Sequence, residues 1–154
     1  MEIRDILSSD AVACHVRASS KKQLFQEIAA RAADCYGVDA RAVFEAMLER
    51  ERLGGTGMGR GVAAPHARVE GLDGIRGVFV RLEKPIEFDA PDDAPVDLVF
   101  ALIAPEDAGA DHLRALARVS RALRDAAVTA KLRSCADGQA LFAVLTETMV
   151  NRAA

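Results

Sequence analysis

Residues 96–104 read Val-Asp-Leu-Val-Phe-Ala-Leu-Ile-Ala, an almost wholly apolar run with Pro95 before it and Pro105 after it. Nine residues are too few for a membrane span, which needs about 20. A half-exposed strand would alternate apolar and polar residues, and this run does not. It has the pattern of a strand covered on both faces, so it belongs in the middle of a sheet. Any fold for this chain must lay further strands beside this run and helices over it.

The rest of the chain supplies both. Ser20-Lys21-Lys22-Gln23 has the form of a capping box, in which serine and glutamine satisfy each other's free N–H groups. Behind it Leu24, Phe25, Ile28, Ala29, Ala32 and Cys35 recur at helical spacing, and Gly37 supplies the stop. A second helix starts after Asp39, with Val43, Phe44, Met47 and Leu48 on one face, and runs out at Leu53. Residues 1–10 suggest one helical turn through Ile3, Ile6 and Leu7, and Ala11 to Val16 a short strand that leaves His15 undecided between surface and core. Val62 to Ala64 reads as a short strand ending at His66, and Ile75 to Glu83 as a longer one closed by Pro85. After Pro105 the chain is helical. One helix carries Leu113, Leu116, Val119 and Leu123, with Asp107 or Asp111 as N-cap. A short piece follows at Val128 to Leu132, then a last helix capped by Asp137 carrying Leu141, Phe142, Val144, Leu145 and Met149. Helices on a small sheet make the class α/β or α+β.

At 154 residues the chain is expected to form a single domain, 1–154, with a real core. The formal net charge of −3 and pI near 5.6 argue against a general nucleic-acid binder. Cys14, Cys35 and Cys135 are odd in number and far apart, which predicts reduced, mostly buried thiols rather than disulfides or a zinc ribbon. Met1-Glu2-Ile3-Arg4-Asp5 is unlike a signal peptide, so the expected location is cytoplasmic, without direct membrane insertion.

The chemistry concentrates between the second helix and the first central strand. Glycines stand at 54, 55, 57, 59 and 61, and Pro65-His66 follows. Glycine lets backbone approach a ligand closely, so this loop suits an anion held by bare N–H groups near His66. There is no G-x-x-x-x-G-K-[ST], no H-E-x-x-H and no G-x-S-x-G, and G-x-G-x-G after a helix is not a dinucleotide fingerprint. No cofactor and no metal is expected. A neutral imidazole can attack phosphorus and carry the phosphoryl group as a phosphoramidate, given donors for its oxygens. Arg50 sits at the mouth of the loop, where it equally complements the helix C-terminus. His112, at the expected start of a later helix, is either a capping-turn residue or a neutral histidine facing the phosphoryl group.

Arg50-Glu51-Arg52-Leu53 followed by Thr56-Gly57-Met58-Gly59-Arg60-Gly61-Val62-Ala63-Ala64-Pro65-His66 resembles the signature of the phosphotransferase-system (PTS) IIA domains of the fructose/mannitol class, EIIA type-2. Gly77-Val78-Phe79-Val80, Pro85-Ile86-Glu87-Phe88-Asp89-Ala90 and Pro95 to Leu102 resemble the nitrogen-regulatory (PtsN-like) branch, with His112 where that branch has its second histidine. The resemblance covers nearly the whole chain. It implies a mixed, mostly parallel sheet flanked by helices on both sides. It implies that His66 is phosphorylated by an HPr-like phosphocarrier protein, with Arg50 and His112 assisting and Thr56, Gly57, Gly59 and Gly61 forming the phosphate loop. The family usually has Gly-Asn-Gly where this chain has Gly59-Arg60-Gly61, so Arg60 is given no role beyond a contact. The expected output is regulatory, through contact with a potassium transporter, sensor kinase or transcription regulator. A sugar-transport IIA handing phosphate to a IIB component is the alternative. A non-enzymatic anion-binding module is the second.

Overall fold

The computed structural model describes residues 1–153, with side chains described as far as Glu147; Met149 of the last helix lies outside the described side chains. A single turn α1 (Ile3–Ile6) leads into β1 (Leu7–Val16), four residues longer at its start than its alternation suggests. Two helices follow, α2 (Lys21–Tyr36) and α3 (Ala40–Leu53), then the short strands β2 (Gly57–Gly59), β3 (Val62–Ala63) and β4 (His66–Val69). The long strands β5 (Arg76–Ile86) and β6 (Val96–Pro105) precede three helices, α4 (Ala110–Arg124), α5 (Ala126–Ser134) and α6 (Gly138–Ala153).

The sheet runs β1-β5-β6-β3-β2, and β4 also pairs with β6. Three pairings are parallel (β1/β5, β3/β6, β4/β6) and two antiparallel (β5/β6, β2/β3), so the sheet is mixed and mostly parallel. β6 is its centre, and every residue from Leu98 to Ala104 is fully buried. α2 and α3 pack on each other and onto β1, β5 and β4, while α4 lies on β6 and α6 on β1 with α1 and α5 against them. Phe25 and Phe88 meet edge to face at 6.3 Å, and Phe79 and Phe100 at 6.0 Å.

Several local expectations need correction. The box at Ser20 is half formed: Ser20 Oγ accepts from Gln23 N–H, but the Gln23 side chain bonds Ser19 instead. Pro85 does not close β5, because the ladder to β6 is irregular between Arg81 and Ile86 and leaves no donor to be missed there. The N-cap of α4 is Gly109 at φ +55, not Asp107 or Asp111. His15 is on the surface, at φ +57 within an irregular stretch of β1. The three cysteines are free and half-buried rather than buried.

β3 and β4 form one broken strand. Val62 faces Leu98 and His66 faces Leu102, the same offset of 36 positions on either side of Ala64-Pro65. Pro65 has no N–H to give, yet its carbonyl still accepts from Leu102 N–H at 2.9 Å, so the break keeps register. His66 therefore begins a new strand, where its sequence suggested that it follows the end of one.

Candidate functional site

Three elements converge at the C-terminal end of α3. The cleft there, about 480 Å³, is walled by Arg50 and Leu53 from α3, His66 and Arg68 from β4, and His112 and Leu113 from α4. The fixed register of β4 on β6 sets His66, and the first turn of α4 brings in His112 from a part of the chain 46 positions later. The two imidazoles stand edge to face, with ring centres 5.4 Å apart. His66 is half-buried and His112 is buried. Nδ1 of each ring is enclosed without a hydrogen-bond partner, whereas neither Nε2 is closed off in this way.

Burial first, then the neighbouring His112 and, less, the Arg50 cation hold the His66 pKa down to about 4, against the Pro65 carbonyl and Glu51, which raise it. His112 is lowered as well, by burial first and then by Arg68 and Arg50. Both rings are therefore neutral at neutral pH, each with one nitrogen lone pair. Arg50 donates from Nη1 to the Gly54 carbonyl at 2.8 Å, capping α3, while lying in the His66 cleft. The two readings of this arginine are compatible. No carboxylate pairs with it among the described residues. The arrangement offers a nucleophilic nitrogen, a neutral donor or acceptor opposite it, and cationic charge for an anion.

A smaller recess continues from His66 into the glycine loop and is lined by Thr56, Gly57, Met58, Arg50 and Ala64. Gly57 presses against Ala90: a Cβ there would lie 3.1 Å from the Ala90 Cα and Cβ, a tight fit that glycine relieves. Gly59, Arg60 and Gly61 line neither recess. They form the β2–β3 turn at φ +89, +58 and +79, held by Asp92 to Arg60 N–H and by Arg133 to the Arg60 carbonyl. Their glycines serve a tight turn, and the Arg60 side chain is exposed. Thr56 has both donors engaged: its N–H and hydroxyl go to Glu51. Arg68 had no place among the sequence candidates, although it sits two positions after His66 and so shares its face of a strand. Leu53 (82% exposed) and Leu113 (67% exposed) form an apolar rim, which only the meeting of α3 with α4 reveals.

Among the described residues no group of three or more His, Cys, Asp and Glu is placed to hold a metal ion, and no helix is long and apolar enough to cross a membrane.

Comparison with known proteins bears on this geometry. Residues 5–148 match the family described as "Phosphoenolpyruvate-dependent sugar phosphotransferase system, EIIA 2". A nitrogen regulatory protein of Bradyrhizobium diazoefficiens is 51% identical over 145 residues, covering 94% of this chain and 95% of the relative. A fructose-specific EIIA component of Haloferax volcanii is 38% identical over 119 residues, covering 77% of each. The crystal structure of the nitrogen regulatory protein IIA-Ntr from Neisseria meningitidis superposes with a TM-score of 0.87 at 35% identity, covering 94% of this chain and 99% of that one.

Proposed function

The chain belongs to the EIIA 2 family of the phosphoenolpyruvate-dependent sugar phosphotransferase system, and from that membership we propose that His66 accepts a phosphoryl group from an HPr-like carrier protein and passes it on. The observation that carries this reading is the pair of neutral imidazoles facing each other in a cleft with Arg50. As the N–P bond of the donor phosphohistidine breaks, its electron pair stays on the donor nitrogen, and the Nε2 lone pair of His66 forms the new N–P bond. Nε2 is assigned because Nδ1 is enclosed. A ring that stays neutral keeps its lone pair throughout the physiological range. Arg50 turns its guanidinium from the Gly54 carbonyl to the phosphoryl oxygens, and His112 donates an N–H to them; fixed donors of this kind are worth far more in a partly dry cleft than in water.

The names of the relatives favour a regulatory version, in which the phosphorylation state of His66 governs contact with a potassium transporter, sensor kinase or transcription regulator. A sugar-transport IIA that passes phosphate to a fructose- or mannitol-type IIB is the second reading, motivated by the fructose-specific relative. Incubation with phosphoenolpyruvate, the first enzyme of the pathway and its HPr-like carrier tests the common core. The expected product is an acid-labile, base-stable phosphate that is absent from His66→Ala. Absence of label on the wild-type protein sinks the carrier reading and leaves the anion-binding module. Complementation of a deletion strain, scoring growth on fructose against potassium or nitrogen phenotypes, separates transport from regulation.

A further inference from the structure

Glu51 follows Arg50 on α3, and its side chain is 7% exposed. A buried carboxylate costs several kcal/mol unless its oxygens are met by donors. Here Oε2 receives Lys21 Nζ from α2 and the Thr56 N–H, each at 3.0 Å, and Oε1 receives the Thr56 hydroxyl. Lys21 is anchored in turn over the Phe88 ring, 4.6 Å from its centre. From Thr56 the contacts run towards the reacting ring. The Thr56 carbonyl accepts the Ala64 N–H at 3.0 Å, and Ala64 precedes Pro65 and His66. Thr56 and Ala64 also line the recess behind His66.

We propose that Glu51 is a positioning residue for phosphoryl transfer, its buried carboxylate fixing Thr56 against Ala64 and thereby fixing the wall behind His66 and the break that aims its ring. This rests on the phosphocarrier reading of His66. Two physical points support a role beyond stability. An apolar residue would bury the same surface without the desolvation penalty, so the carboxylate earns its place through the geometry it imposes. Both Thr56 donors are consumed by Glu51, so Thr56 acts by shaping the loop and not by binding the phosphoryl oxygens. Reactive groups held within about 0.5 Å are needed for full transfer rate, and a misplacement of 1 Å costs roughly 100-fold.

The test uses Glu51→Gln, Thr56→Val and Thr56→Ser in the full chain. Donor-to-protein phosphoryl transfer is measured by rapid quench, and the His66 ring is followed by NMR against pH. Glu51→Gln and Thr56→Val are expected to lower the saturating transfer rate at least about tenfold, with the KM for the carrier unchanged and circular dichroism native. Thr56→Ser, which keeps both donors, restores the rate. Glu51→Gln also moves the His66 titration midpoint further down, because a carboxylate that favours the protonated ring is gone. A Glu51→Gln rate within twofold of wild type overturns the proposal, as does a loss that Thr56→Ser shares with Thr56→Val. A wild-type protein that takes no label removes the carrier reading of His66 itself. In that event the NMR titration still judges Glu51: an unmoved midpoint and unmoved ring resonances in Glu51→Gln overturn its positioning role.

Discussion

His66 shows how far an environment can move one side chain. The unfolded chain binds a proton near pH 6.5, whereas the folded ring resists protonation until about pH 4. Between those values the unfolded state holds more protons, so folding stability falls as pH drops through this window and levels off below it. For a half-buried ring the loss is on the order of 2 kcal/mol. A urea-unfolding series from pH 7 to pH 4 checks this: wild type is expected to lose more stability than His66→Gln, and parallel curves contradict it. Arg50→Ala and His112→Ala are expected to slow phosphoryl transfer about 100-fold each while the protein stays folded. Unchanged rates in both variants would take the two residues out of the site. Arg50→Lys keeps the charge but loses the forked guanidinium, so it recovers only part of the rate.

At the level of the elements, the glycine at 77 sets a limit. A Cβ there would lie 2.6 Å from Cε1 of Phe100, a fully buried ring in the central strand. Gly77→Ala is expected to destabilise the fold by about 1–3 kcal/mol, read as a lowered thermal midpoint. Arg81 offers a second case: it is buried and gives Nη1 to the Leu132 and Cys135 carbonyls, closing the end of α5. The elements legible in the sequence are those whose signals are local. The bounds of α2 and α3 follow from Ser20, Gly37 and Asp39, and β6 from its almost wholly apolar run. β2 and β4 were not legible, since three or four residues carry no period and take their strand form from partners 35 or more positions away in β6 or across a turn. The same reason hid Arg68, Leu53 and Leu113 as neighbours of His66. His66, Arg50 and His112 were accessible as candidates through the motif that contains or aligns them. The division of the glycine loop was not. Its first half, Thr56-Gly57, borders His66, and its second half, Gly59 to Gly61, turns away towards Asp92, Asp97 and Arg133.

On the scale of the whole molecule, the cleft opens between two exposed leucines on different helices, Leu53 and Leu113. An apolar pair beside the His66 ring suits a partner protein that docks transiently. Leu53→Asp and Leu113→Asp are expected to raise the KM for the carrier several-fold and to leave the melting temperature within a degree or two; unchanged KM values in both would exclude the rim from docking. The broken strand has a consequence of another kind, for which changes of chain length the fold can accept. Because β3 and β4 keep one offset on β6 through Pro65, His66 behaves like a mark on a ruler whose zero is Val62. Inserting or deleting one residue between Val62 and His66 would reverse the face on which the imidazole emerges. Residues 54–55, exposed and outside the ladder, are held instead by the Arg50–Gly54 and Glu51–Thr56 hydrogen bonds that span them. Length variation is therefore forbidden within the five residues that end at the histidine.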